Sequence, residues 1–177
     1  MIRVAKPTDV PRMLAIYAPY VDETSVSMEY DPPTPEAFAG RFERVTGRYP
    51  WLVWEEDGAV LGYAYADRAL ERAGYRWDAE LSIYLCPEAR GRGIGGMLYD
   101  ALEALLARLG YRNLYALVTG DNLASCRFHE KRGYALEGLL KSAALKSGRW
   151  YDLCWYTLCP GGDDAPGEPP KAFEGSL

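Results

Sequence analysis

The sequence predicts a mixed α/β fold of the α+β kind: a central, mostly antiparallel twisted sheet of about seven strands with flanking helices. Three observations carry this. Asp57-Gly58 separates two runs rich in aromatic and β-branched residues, which is a hairpin signal. Apolar residues at 94, 97, 98, 101, 102, 105, 106 and 109 follow an unbroken helical spacing that Gly110 stops. The order strand, helix, helix, three strands, helix, strand, helix, two strands lacks the strict alternation of a doubly wound sheet.

Ile2 to Val4 reads as a short strand, and the stretch Thr8-Asp9-Val10-Pro11 is expected to supply a helix cap with proline in the first turn. Met13, Leu14, Ile16, Tyr17 and Tyr20 lie at helical spacing. Ser25 to Tyr30 could be extended. Thr34 and Pro35 then open a second helix whose apolar face is Phe38, Phe42 and Val45. Trp51 to Glu55 and Val60 to Ala66 flank the Asp-Gly turn. Arg68 to Trp77 has no clear period and is expected to be a loop before a strand at 79 to 86. After the long helix, Leu114 to Val118 reads as a buried strand and Asn122 to Arg132 as a helix closed by Gly133. Tyr134 to Leu145 and Trp150 to Leu158 read as strands around Ser147-Gly148. Residues 1–159 are thus one expected domain. From 160 to 177 the chain turns to Pro, Gly and acidic residues, a composition expected to stay disordered or be pinned only at Phe173.

Composition narrows the function. At 177 residues, 49% apolar and 25% charged, the chain can bury a core without staples. A net charge of -5 argues against a general nucleic-acid surface. No apolar run reaches membrane-spanning length and no signal-peptide apolar region opens the chain, so the cytoplasm is the expected location. Cys86, Cys126, Cys154 and Cys159 have neither C-x-x-C pairing nor histidine neighbours at zinc spacing, so no metal is expected and they read as small core residues.

The informative stretch is Glu80 to Gly96, where a β-rich run ends at Pro87 and a basic, glycine-punctuated loop enters the long helix. Unpaired amides and the helix dipole favour an anion there, glycines at 91, 93, 95 and 96 admit it closely, and Arg90 and Arg92 add charge. A pyrophosphate fits. A dinucleotide fingerprint would need an early βαβ unit and an acidic residue near position 115, and a Walker loop would need Gly-Lys-Ser/Thr; neither occurs. Such a loop also serves as a solvated turn or a nucleic-acid contact.

Arg90, Gly93 and Gly95 fill the Arg/Gln-x-x-Gly-x-Gly/Ala pattern and resemble the acyl-CoA loop of the GNAT N-acetyltransferases. Arg72-Ala-Gly-Tyr75-Arg-Trp77-Asp-Ala-Glu80-Leu-Ser-Ile-Tyr84 is similar to the segment Arg-x-Ala-Tyr-x-Trp/Tyr-Thr-x-Glu-x-Ser-Val/Ile-Tyr of the phosphinothricin acetyltransferase family. Tyr49 to Val53, Gly62 to Ala66 and Lys146 to Asp152 add further matches. The resemblance spans residues 2 to 158 and implies a GNAT fold, acetyl-CoA as co-substrate, a small-molecule amine as acceptor, and a homodimer. It departs at Ala73, Gly74 and Asp78, which puts the acceptor's identity in doubt.

Amide formation from a thioester needs a neutral amine and a proton for the departing thiolate. Glu80 is the expected general base. His129, the only histidine, occupies the position where the resemblance implies a proton donor to the thiolate. Cofactor contacts are expected from Ile83, Tyr84, Leu85, Arg90, Gly91, Arg92, Gly93, Ile94, Gly95, Gly96, Asn122 and Ser125. Arg72, Tyr75, Arg76 and Trp77 are the acceptor candidates. The implied reaction is acetylation of a small amino-acid-like amine such as phosphinothricin, methionine sulfoximine or methionine sulfone. The alternatives are another small amine or a CoA-binding sensor without turnover, and a sensor needs neither Glu80 nor His129.

Overall fold

Alternation along one strand sorts the layers. Gly62, Ala64 and Ala66 face one side of the strand Ala59–Arg68, and Tyr63 and Tyr65 face the other. Helices pack on both sides because each face offers a different surface. In the computed structural model, which describes residues 1–160, 167–175 and 177, the elements follow in this order: β1 (Ile2–Val4), α1 (Val10–Asp22), α2 (Pro35–Thr46), β2 (Trp51–Glu56), β3 (Ala59–Arg68), β4 (Asp78–Leu85), α3 (Ile94–Leu109), β5 (Asn113–Thr119), α4 (Leu123–Lys131), β6 (Ala135–Lys146) and β7 (Arg149–Leu158). α1 and α2 cover the aromatic face through Tyr17 against Tyr84 and Phe38 against Trp51. α3 takes the small-residue face, with Gly95 against Ile83 and Leu85.

The seven strands form one sheet in the order β1-β2-β3-β4-β5-β7-β6. Every pairing is antiparallel except β4 with β5, which is parallel and runs only from Asp78↔Asn113 to Glu80↔Tyr115. Past Glu80 each strand stays bonded to its outer neighbour, β4 to β3 and β5 to β7, so a wedge opens between them. The Asp57-Gly58 turn adopts positive φ at both residues, the geometry expected of a tight hairpin.

Thr34 caps α2 as expected, accepting from the Ala37 amide at 3.2 Å. Asp9 takes the capping position of α1 within the expected stretch, with Pro11 in the first turn, but its carboxylate accepts from Arg3 and the Lys6 amide and makes no side-chain bond to the helix. Ser25 to Tyr30 is not a strand. It is a bent loop whose Ser27 carbonyl, with those of Val21 and Thr24 just before it, accepts from the buried Lys146 ammonium at 2.6–2.8 Å. The loop before β4 contains one 3-10 turn, Ala73–Tyr75, and β4 begins at Asp78 and ends at Leu85, one residue earlier than expected at each end.

Of the segment 160–177, the expectation of disorder falls partly on residues 161–166 and 176, which lie outside the described residues. The described part is anchored at more than Phe173. Pro170 is buried, and the amides of Lys171 and Phe173 donate to the carbonyls of Leu109 and Arg48, both at 2.9 Å.

Candidate active site

Glu80 is the last residue of β4 paired to β5 and stands at the closed end of the wedge. Its side chain is half-buried and has no hydrogen-bond or ion-pair partner among the described residues. Burial raises its pKa, the Asp67 carboxylate opposite it on β3 raises it further, and the result is about 7. Asp67 is held by a bidentate bond from Arg44 on α2 at 2.7 and 3.0 Å. A carboxylate that is desolvated yet unpaired, and titrates near neutrality, is suited to accept a proton.

The open end of the wedge carries the glycine loop. Gly91 and Gly93 have φ of +72° and +79°, and a Cβ at either would meet nothing within 4 Å. Gly93 caps α3 in the left-handed conformation with no side chain over the helix end, so the first-turn amides after Ile94, including those of Gly95 and Gly96, stand uncovered for an anion. Arg92 is tied to Glu56 at 2.8 Å, while the Arg90 guanidinium lies 5.2 Å from the Tyr20 ring centre. Tyr20 also donates its hydroxyl to the Leu85 carbonyl at 2.6 Å and accepts from the Leu85 amide. The expected contacts Ile83 and Leu85 turn their side chains to α3. Tyr84 turns its ring to Tyr17, Tyr20 and Tyr63, leaving the backbone as the part of this strand nearest the wedge. On the facing side, Asn122 caps α4 by accepting from the Ser125 amide at 3.2 Å.

His129 is not at the surface of this wedge. It is 2% exposed and ringed by Tyr99, Phe128, Tyr134 and Tyr156. Its Nδ1 lies 2.8 Å from the Ser125 carbonyl, which can only accept, so Nδ1 carries the proton and Nε2 accepts from the Tyr99 hydroxyl at 3.1 Å. Burial lowers its pKa below the usual value, so the ring is neutral. The expectation of a direct proton donor falls on an imidazole that is almost fully buried and has a partner at each nitrogen among the described residues.

The acceptor candidates divide. Arg72, Tyr75 and Arg76 are exposed on one loop and line a cleft of about 450 Å³ with Arg48 and Arg68. Arg76 donates to the Ala73 carbonyl at 2.9 Å and packs over the Trp77 ring. Trp77 is outside that lining; its carbonyl accepts from the Arg112 and Asn113 amides and its indole nitrogen is buried. Asp78 is also withdrawn, 6% exposed and bonded to the Asn113 amide group at 2.8 Å, so this departure from the resembled pattern lies beneath the loop.

Three participants were missed. Tyr20 read as one apolar position of α1, Tyr99 lies off the apolar stripe of α3, and Asp67 faces Glu80 only through the β3–β4 register. An aromatic off a helix's apolar stripe was the available signal for Tyr99.

A family profile described as an acetyltransferase (GNAT) domain matches residues 2–155. The chain is 40% identical over 154 residues to a phosphinothricin N-acetyltransferase of Alcaligenes faecalis, covering 85% of this chain and 78% of that one. It is 35% identical over 164 residues to an L-methionine sulfoximine/L-methionine sulfone acetyltransferase of Pseudomonas aeruginosa, covering 89% and 92%. Among solved structures, a phosphinothricin acetyltransferase of the same superfamily from Sinorhizobium meliloti, in complex with acetyl-CoA, superposes with a TM-score of 0.89 at 38% identity, covering 95% and 93%.

Proposed function

Because the chain belongs to the GNAT acetyltransferase family, we propose that it transfers acetyl from acetyl-CoA to the amine of a small amino-acid-like substrate of the phosphinothricin, methionine sulfoximine or methionine sulfone type. The observation that carries this reading is the unpartnered Glu80 at the closed end of the wedge, with a pKa pushed up to about 7. In its ionised form Glu80 takes a proton from the acceptor's ammonium, directly or through water, and frees the lone pair that attacks the thioester carbonyl; as the C–S bond breaks, the proton given up by the attacking nitrogen passes to the CoA thiolate, which leaves as the thiol. The uncovered amides of the α3 start, with Arg90 and Arg92, hold the pyrophosphate; Arg92 exchanges Glu56 for phosphate to do so. The Asn122 cap and the first turn of α4, with Ser125, form the other wall.

His129 acts as a positioning residue, fixing that first turn through the Ser125 carbonyl and the α3 side through Tyr99. Arg72 and Arg76 bring cations to the acceptor's carboxylate or phosphinate, with Tyr75 beside them. Residues 1–159 are the catalytic domain. The protein works in the cytoplasm as a homodimer, and the support for pairing is the free edge of β6, where Leu136, Leu139, Leu140 and Leu145 are exposed beside Trp150.

The test is thiol release from acetyl-CoA with a panel of amines that includes these three. Amine-dependent release is expected with at least one of them. Acetyl-CoA binding without release for any amine would leave the sensor reading in its place.

A further inference from the structure

Residues 167–175 lie back against the body of the molecule. The Lys171 amide satisfies the carbonyl of Leu109, the last residue of α3, and the Phe173 amide bonds the Arg48 carbonyl. The Arg48 guanidinium donates to the Pro170 carbonyl at 3.2 Å, and Phe173 packs half-buried on the core. Two consecutive prolines lead into these bonds, and their restricted unfolded chain lowers the cost of docking.

Once docked, Pro169 and Pro170 line the cleft that holds Arg48, Arg72, Tyr75 and Arg76. A second cleft of about 500 Å³ shares Arg48 and Arg68 with it and reaches Asp67, the residue opposite Glu80. The matched family domain ends at residue 155, so this side of the cleft is built by chain outside that domain. The cations can fix an anionic group, whereas the exposed Pro169 ring, backed by the buried Pro170, offers a rigid surface without donors, against which a side chain can only pack.

We propose that Pro169 and Pro170, docked by residues 171–173, are a specificity element: they wall the acceptor cleft, seating small anionic amines and restricting bulkier ones. This rests on the acceptor site assigned above to Arg72, Tyr75 and Arg76. Removing the wall widens the cleft without touching Glu80 or the glycine loop.

The experiment compares the full chain, a chain ending at Pro160, and the full-length double variant Pro169→Gly/Pro170→Gly, with methionine sulfoximine and with phenylalanine as the bulkier amine. In both altered proteins KM for methionine sulfoximine is expected to rise about 10-fold, the worth of a modest apolar contact. With kcat and KM for acetyl-CoA staying within about twofold, the preference for methionine sulfoximine over phenylalanine narrows by a similar factor. A strap that only stabilises the fold lowers kcat through the active fraction and leaves the amine KM where it was; that result, in either well-folded variant, overturns the wall. A full chain that acetylates normally while truncation changes no KM removes this inference and leaves the function standing. A full chain with no amine-dependent thiol release removes the function and the wall with it.

Discussion

Glu80 and His129 are both withdrawn from water, and burial pushes each toward its neutral form, yet their surroundings differ in kind. Glu80 on β4 has a carboxylate with no partner among the described residues and a pKa raised to about 7. His129 on α4 has a lowered pKa and a partner at each nitrogen, inside a box of aromatic rings. Desolvation alone therefore does not mark a reactive group. A buried group with unused hydrogen-bonding capacity is held ready for a ligand, whereas one with its capacity filled is holding the structure.

The largest effect that can break this contrast is Glu80→Gln, which keeps shape and removes basicity. Turnover is expected to fall about 10² to 10⁴-fold with acetyl-CoA affinity unchanged, and the rise of kcat/KM with pH through about 7 should vanish. The same substitution should stabilise the fold. A carboxyl with a folded pKa of about 7 against 4.5 loses stability as pH climbs between those values, because the unfolded chain ionises first. Removing it should gain on the order of 1–3 kcal/mol above pH 7 and almost nothing near pH 4. Thermal melts at pH 4.5 and 8 read this out, and equal shifts at both would show that Glu80 carries no burial cost.

His129→Phe is expected to act with the opposite sign on stability, because the buried Tyr99 hydroxyl loses its partner, at about 1–3 kcal/mol when unmatched, and the Ser125 carbonyl loses a second donor beside its helical one. Turnover should drop roughly 10-fold while the pH limb near 7 persists, since that limb belongs to the carboxylate. Loss of the limb in this variant would make the two groups one proton relay and dissolve the distinction. Arg92→Ala should do least. Acetyl-CoA affinity should weaken about threefold, because phosphate attraction is offset by release of Glu56, and thermal stability should hold, since a solvent-exposed ion pair contributes little. A loss as large as that of Glu80→Gln would move the chemistry toward the glycine loop.

The sequence was most readable where one local rule dominated. The spacing of α3, the Asp57-Gly58 turn and the Thr34 cap each depend on neighbours a few residues away, and each formed as expected. Ser25 to Tyr30 was misjudged because its conformation is set by Lys146, more than 100 residues on, whose ammonium gathers three carbonyls. Asp9 caps α1 without a side-chain bond to the helix because Arg3 and the Lys6 amide take its carboxylate. Within the site, residue types pointed to Glu80 and the glycine loop. The exposure that separates Glu80 from His129 comes from packing of α3 and α4 with β7, contacts that no local pattern encodes. Asp78 shows the same limit, since its burial against Asn113 depends on the short parallel pairing.

That short pairing also has a mechanical meaning. Only three residue pairs join β4 to β5, so the sheet behaves as a four-stranded leaf and a three-stranded leaf hinged along one seam. When two plates rock about a hinge, displacement grows with distance from the axis. Points far out on the wedge, such as Leu85 and Thr119, travel most, and Glu80, at the seam's end, travels least. A mouth that must widen for a long guest and a carboxylate that must stay registered to a reacting nitrogen can then coexist in one sheet, because the carboxylate sits at the pivot.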